Sequence, residues 1–225
     1  QLNLERMNKI LTLIFVLFAL IMPIAAQSFL QMGLDIDGEA AEDESGTSVC
    51  MPDGNTIAIG AYLNDGSSLN IGHVRIYSWN GSEWLQKGED IEGEADQDRL
   101  GWSLDMPDNN TIAIGAYLND GSEINSGHVR IYNWNGSAWI QKGADIDGEA
   151  ADDRSGWSVS MPDANTVAIG AYQNGGNGND AGHVRIYEWN EVAWIQKGGD
   201  IDGEVAEDLS GHAVSMPDAN TVAIG

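Results

Sequence analysis

Short runs of alternating large and small side chains, separated by turn residues, form most of the chain. Residues 156–161 (GWSVSM) alternate with the period of two that is typical of a half-buried strand. Residues 162–165 (PDAN) then predict a tight turn. The next run, Thr166–Ala171, places β-branched residues on one face and Ala and Gly on the other, which lets another layer approach closely. Both runs predict β-strands.

Two further runs follow a Gly- and Asn-rich loop. His183–Trp189 and residues 194–197 are apolar runs separated by a short turn, which reads Asn80-Gly81 and Asn135-Gly136 in the earlier copies. Asn-Gly between two apolar runs is a strong hairpin signal, because both residues accept positive φ. No run has helical periodicity. The pattern therefore predicts a four-stranded antiparallel meander.

The meander recurs every 55 residues without an insertion, as the positions of His73, His128 and His183 show. Four-stranded sheets repeated radially are β-propeller blades, so we predict an all-β propeller, present here as an incomplete fragment of about three and a half blades. A β-solenoid is the alternative, but we find no shorter period within the repeat. The predicted repeats span residues 34–88, 89–143 and 144–198, with a partial repeat at 199–225. Residues 27–33 resemble the end of a repeat and are interpreted as an orphan fourth strand.

The amino-terminal residues 1–26 are interpreted as upstream residues followed by a secretory signal peptide. From Met7 onward, Lys9 supplies a positive region, an apolar run extends to Met22, and small residues precede Gln27. The apolar run is shorter than the roughly 20 residues of a transmembrane helix. We therefore expect cleavage after Ala26 and export, with retention as a membrane anchor as the alternative.

The charge balance limits the partners that the chain can bind. Ten Lys and Arg residues stand against 35 Asp and Glu residues, a formal net charge of -25. Nucleic-acid binding depends on basic side chains, so neither nucleic acid nor an anionic membrane surface is expected as a partner. No second hydrophobic span is visible, so no membrane insertion is expected after signal cleavage. The single cysteine, Cys50, excludes an intramolecular disulfide framework.

The repeat resembles the FG-GAP repeat of integrin-α-type propellers, and more closely the FG-GAP-like repeats of exported Bacteroidetes-type surface proteins. The resemblance rests on residues 100–104 (LGWSL), 112–117 (IAIGAY) and 127–132 (GHVRIY), and it covers Phe29 to Gly225. It implies seven blades and an extracellular role in adhesion or ligand binding. In place of the family's DxDxDG calcium loop between the first two strands, this chain has PDGNT, PDNNT or PDANT.

An acidic segment opens each copy and is the candidate metal site. Clustered carboxylates around a Gly suit a hard cation such as Ca²⁺, although the third Asp and terminal Glu of an EF-hand loop are missing. The alternative is a solvated turn between blades, with Asp capping the backbone. The candidate ligands are Asp35, Asp37, Glu39, Asp90, Glu92, Glu94, Asp145, Asp147, Glu149, Asp200, Asp202 and Glu204.

The recurring His and Trp residues are interpreted as structural. A catalytic His is normally unique and has a non-repeated partner, so His73, His128 and His183 are expected to be hydrogen-bonding residues of the blades. The Trp pairs such as Trp134 and Trp139 invite a carbohydrate-stacking hypothesis, but their strict period favours packing within the blades.

Together these features predict a secreted or cell-surface binding and adhesion module that presents loops from a rigid propeller. An extracellular protein or glycan is the expected ligand, and no cofactor other than calcium is indicated. No non-repeated catalytic constellation is visible, so we do not predict an enzyme. The alternatives are an exported hydrolase or lyase acting on polysaccharide, and a structural spacer in a larger surface protein.

Overall fold

The computed structural model describes residues 29–225, and the predicted signal peptide lies outside the described residues. Residues 29–32 fall in a different unit from residues 33–225, and each unit is described by itself. Residues 29–32 do not form a strand. The orphan fourth strand interpreted at residues 27–33 stays a prediction. Within the described part of the chain, no helix is long and apolar enough to cross a membrane.

The unit from residue 33 onward is all-β, as predicted, and consists of successive antiparallel sheets that repeat about every 55 residues. Sheet 1 contains β1 (Ser48–Asp53), β2 (Thr56–Ala61), β3 (His73–Trp79), β4 (Trp84–Gln86) and β5 (Ile91–Glu92). Sheet 2 contains β6 (Ser103–Asp108), β7 (Thr111–Ala116), β8 (His128–Trp134), β9 (Trp139–Gln141) and β10 (Ile146–Asp147). Sheet 3 contains β11 (Ser158–Asp163), β12 (Thr166–Ala171), β13 (His183–Trp189), β14 (Trp194–Gln196) and β15 (Ile201–Asp202). A fourth sheet pairs β16 (Val214–Asp218) with β17 (Thr221–Ile224).

The first two strands of each sheet form a hairpin with a two-residue turn. In sheet 3, Asp163 pairs with Thr166, and the register shifts between Ser160 and Asp163. Pro162 lies in this irregular stretch, where a residue without an N–H group interrupts the ladder least. The Asp163 carboxylate accepts a hydrogen bond of 2.8 Å from the main-chain N–H of Asn165, which fixes the turn.

The outer edge of sheets 1, 2 and 3 differs from the predicted single fourth strand, because it consists of two short strands. In sheet 1, β4 pairs with the end of β3, and β5 pairs with its beginning, at His73 and Val74. The chain turns between them at Gly88, whose φ is +88°. A Cβ at Gly88 would lie 2.8 Å from the Trp134 ring of the next sheet. The interruption between β4 and β5 therefore depends on packing between sheets. The acidic segment thus enters the sheet of the preceding repeat.

The hydrophobic core lies between successive sheets. Ile76 of sheet 1 belongs to the same cluster as Ile112 and Ile114 of sheet 2, and Ile131 of sheet 2 to the same cluster as Ile169 of sheet 3. The first strands of successive sheets lie side by side. This face-to-face packing around neighbouring first strands is the arrangement of adjacent β-propeller blades.

Polar contacts reinforce the same interfaces at each repeat. Ser hydroxyl groups at the start of β1 and β6 donate to a main-chain carbonyl at the next sheet, from Ser48 to Gly101 at 2.6 Å and from Ser103 to Gly156 at 2.7 Å. The indole N–H of Trp139 donates to the Lys87 carbonyl oxygen at 2.7 Å. The Trp pairs therefore pack between sheets, which matches the structural interpretation of their period.

Candidate functional site

The acidic segments bring His and carboxylate side chains together into three clusters. Each cluster combines a Glu from one acidic segment, the first residue of a third strand, and an Asp from the following segment. We call them site 1 (Glu39, His73 and Asp90), site 2 (Glu94, His128 and Asp145) and site 3 (Glu149, His183 and Asp200). In each, one ligand atom from every side chain lies within 4.8 Å of the others.

The His Nδ1 atoms face the carboxylates at a distance longer than a hydrogen bond. In site 1, Nδ1 of His73 is 3.8 Å from Glu39 and 3.7 Å from Asp90. In site 2, Nδ1 of His128 is 3.6 Å from Asp145. In site 3, Nδ1 of His183 is 4.0 Å from Glu149.

The imidazoles of sites 2 and 3 are buried, while the carboxylates reach solvent. The His128 and His183 side chains are each 1 % exposed, whereas Glu94 is 50 % exposed. Among the described residues, neither ring nitrogen of His128 has a hydrogen-bond partner, nor has Nδ1 of His183. Burial, followed by the charge of Arg130, lowers the pKa of His128 to about 4, and burial also lowers the pKa of His183. Both rings are therefore neutral at physiological pH.

An Arg lies two residues after each His, and its contacts differ between site 1 and the other two sites. Arg75 donates three hydrogen bonds to Asp90, at 2.8, 2.9 and 3.0 Å, and also pairs with Glu39. Although burial opposes it, these bonds lower the pKa of Asp90. Both carboxylates of site 1 are thus paired with the same guanidinium.

In sites 2 and 3 the Arg is directed elsewhere. Arg130 donates to the main-chain oxygen of Glu92 at 2.8 Å and lies 3.3 Å from one carboxylate oxygen of Glu94. Arg185 makes the equivalent contacts with the Asp147 carbonyl and Glu149. Asp145 and Asp200 have no Arg partner among residues 29–225, so these two sites keep an unneutralised carboxylate beside the imidazole.

The remaining predicted ligands lie outside the three clusters. Glu92 and Asp147 are exposed residues of β5 and β10, and their main-chain oxygens, as just described, accept from arginines. Burial raises the pKa of Asp147. Asp35, Asp37, Asp202 and Glu204 also lie outside them, although Asp202 approaches Nδ1 of His183 at 4.0 Å.

The carboxylate that caps the acidic segment is a residue that sequence analysis did not single out. Asp98 is 2 % exposed and accepts from the main-chain N–H groups of Glu94 and Ala95 at 3.0 and 2.9 Å. The Asn119 amide also donates to it at 3.0 Å. Asp153 and Asn174 repeat the pair in sheet 3. The capping role predicted for the candidate ligands thus belongs to a later, buried Asp. The recurrence of this Asp at the repeat period is the sequence signal that indicates it.

The turn between the first two strands, where the FG-GAP family has its calcium loop, does not fit that ion in this chain. Its carboxylate in sheet 3 already accepts from the turn's own amide, as described above. Lys142 of the preceding sheet donates to the Ala164 carbonyl oxygen at 2.6 Å and to the Asn165 side-chain oxygen at 2.8 Å. An ammonium group therefore takes the oxygens that a cation at this turn would need.

A continuous row of aromatic rings, in tilted and edge-to-face contact, crosses the ends of three sheets. Trp102 and Trp157 lie immediately before β6 and β11, and their ring centroids are 4.5 Å apart. Tyr62, Tyr117 and Tyr172 follow the second strands, and each lies 4.4–5.0 Å from a Trp ring. We call these five residues, with His212 at 5.4 Å from Trp157, the aromatic stack. Tyr117 is buried, and the other members are at least partly exposed.

Two arginines border the aromatic stack. Arg154 donates to the Tyr172 hydroxyl at 2.9 Å, and Arg99 donates to the Tyr117 hydroxyl. The guanidinium carbons lie 5.7–5.9 Å from Tyr ring centroids, within the range of a cation–π contact. The sequence did not single out these residues, because they come from different repeats and from separate segments next to the strands. The signal was the same type of aromatic residue at the same position of successive repeats.

The repeated sheets, packed face to face along their first strands, define a β-propeller-like repeat protein. Residues 145–187 match the family model described as FG-GAP repeat. The match and the repeated antiparallel sheets fit an FG-GAP β-propeller-like repeat protein, as the resemblance implied. A comparison with curated proteins found no match. FG-GAP repeats occur in extracellular or surface proteins, often bind ligands and are typically non-catalytic.

Proposed function

We propose that this chain is an exported binding and adhesion module of the cell surface or the extracellular medium. The single observation that carries the proposal is the aromatic stack. A row of mostly half-exposed rings in contact over three sheets offers a rigid and amphipathic surface. Binding sites use such surfaces to gain affinity at low entropic cost. The rigid sheets beneath hold the rings in place, so little order has to be acquired on binding.

The chemistry of the stack favours a neutral glycan over a polyanion. Flat apolar faces of sugar rings can stack on Trp102 and Trp157, while Tyr hydroxyl groups supply polar partners at the rim. The net charge of -25 repels polyanions, and the two arginines at the rim are already bonded to Tyr117 and Tyr172. A protein ligand is the other class that this surface serves, and the experiment separates the two.

The test is binding of neutral oligosaccharides, followed by tryptophan fluorescence and calorimetry on the full chain. Trp157→Leu should weaken binding at least about 10-fold, since truncation of a central aromatic hot-spot residue costs about 2 kcal/mol or more. Leu85→Ala is the matched control, because this side chain is 48 % exposed on an outer strand of sheet 1. It should leave affinity unchanged.

Two results would contradict the proposal. Equal loss of affinity in Trp157→Leu and Leu85→Ala would show that the aromatic stack is not the binding surface. Failure to bind any neutral glycan, together with capture of a purified surface protein that Trp157→Leu abolishes, would replace the glycan with a protein ligand. Export is tested separately, since mass spectrometry of the secreted protein should place its first residue near Gln27.

A further inference from the structure

We propose that sites 2 and 3 each bind a divalent transition-metal ion, with Zn²⁺ as the best-fitting ion. Each would take one imidazole nitrogen and two carboxylate oxygens from the chain: His128 with Glu94 and Asp145, and His183 with Glu149 and Asp200. The inference is independent of the aromatic stack, which lies on other residues.

The first observation is the orphaned imidazole. Buried polar atoms are almost always hydrogen-bonded, because an unsatisfied one costs about 1–3 kcal/mol. Nδ1 of His128 and Nδ1 of His183 are buried and lack a partner within the described part of the chain. Each faces carboxylate oxygens, which are acceptors, and a bound cation would satisfy nitrogen and oxygens together. Nε2 of His128 stays without a partner in this arrangement.

The second observation is the spacing. Nδ1 lies 3.6 Å from Asp145 in site 2 and 4.0 Å from Glu149 in site 3. These gaps are too long for a hydrogen bond. Zinc binds His nitrogen and carboxylate oxygen at about 2.0–2.2 Å, so two ligands of one ion are roughly 3.4 Å apart at a tetrahedral angle and farther apart at wider angles. The clusters are therefore close to the size that a shared ion requires.

The ligand types select the class of metal. Calcium takes six to eight oxygen ligands and no imidazole, whereas neutral imidazole with carboxylates suits zinc and its neighbours in the first transition row. Three protein ligands leave at least one position for a water molecule or a ligand group. The exposed carboxylate of Glu94 gives an ion a path from solvent to the buried ring.

The arginines explain why site 1 is excluded. Arg75 holds both carboxylates of that site, and a metal ion would have to displace it. Arg130 instead touches one oxygen of Glu94, which leaves the other oxygen of this carboxylate for an ion, and it orients the side chain by its bond to the Glu92 carbonyl. An ion in site 2 would connect the acidic segment that follows sheet 1 to the third strand of sheet 2, across an interface between sheets.

The experiment uses the full chain, stripped with chelator and titrated with ZnCl₂ in a calorimeter. We expect two ions per chain. His128→Asn and, separately, Glu94→Gln should each remove one of them, with affinity at that site reduced by more than about 100-fold, because even outer-shell changes at metal sites cost 10- to 100-fold. Co²⁺ should report the same sites by its visible d–d absorption. Glu94→Gln is the safer variant, since the side chain is half exposed and its loss should not disturb folding.

Matched controls separate the clusters from general surface chelation. His212→Asn changes an exposed His outside the clusters, and His73→Asn changes the imidazole of site 1, so both should retain two ions. The proposal is overturned if the chain binds no Zn²⁺, or if the Glu94→Gln/Glu149→Gln double variant binds as many ions with the same affinity. It is also overturned if Ca²⁺ binds at these residues in preference to Zn²⁺.

Discussion

Replacement of Lys142 by Met should destabilise the interface between sheets 2 and 3. The ammonium group donates to two oxygens of the β11–β12 turn, at 2.6 and 2.8 Å. It also lies 5.2 Å from the ring centroids of both Trp189 and Trp194. Met preserves the length and the apolar stem of the side chain, so the change isolates the charged group.

The magnitude follows from these contacts. A hydrogen bond made by a charged group contributes about 1.5–3 kcal/mol. The second oxygen belongs to the exposed Asn165, which water can satisfy, so we count one such bond. The two ring contacts add about 0.5–1 kcal/mol each at a partly exposed site. Burial lowers the pKa of Lys142, which reflects lost hydration of the ammonium and offsets part of the gain. We expect a net loss of about 2–3 kcal/mol.

Denaturant and thermal unfolding of the full chain measure this loss. For a chain of this size, the expected fall in Tm is about 4–12 °C. Val192→Glu is the matched control, because it makes the net charge more negative by the same one unit at a side chain that is 81 % exposed. It should change the free energy of unfolding by less than about 0.5 kcal/mol. Equal effects of the two changes, or a loss below that limit in Lys142→Met, would refute the reasoning.

Two further predictions concern single positions. Gly148→Ala should lower the free energy of unfolding by about 3 kcal/mol, because a Cβ there would overlap the main-chain oxygen of Ser126. Gly199→Ala is the control and should be neutral, because the space around Gly199 is open. Similar stability of the two variants would contradict this prediction. Burial and then the charge of Asp105 raise the pKa of Cys50 to about 11, so its alkylation at pH 8 should be on the order of 100-fold slower than that of a free thiol. Asp105→Asn should accelerate the reaction, and an unchanged rate would show that the carboxylate does not act on the thiol.

The strands and tight turns of each repeat were predictable because their causes are local. Alternation along residues 156–161 and the β-branched face of Thr166–Ala171 are properties of consecutive residues, and the Asp163 side chain closes its own turn. The split outer edge was not predictable, since Gly88 turns the chain where the Trp134 ring of the next sheet leaves no room for a side chain. Period alone cannot show such a contact.

The candidate sites divide in the same way. The sequence by itself determined that carboxylates, imidazoles and aromatic rings recur at a fixed period, because the period is a property of residue order along the chain. Only the tertiary structure decided that Glu94 and Asp145, from two successive acidic segments, meet at the buried ring of His128. It likewise decided that Trp102 and Trp157 stack across neighbouring sheets. The physical reason is that side-by-side packing of first strands, which depends on the core between sheets, brings positions one repeat apart to within a few ångströms.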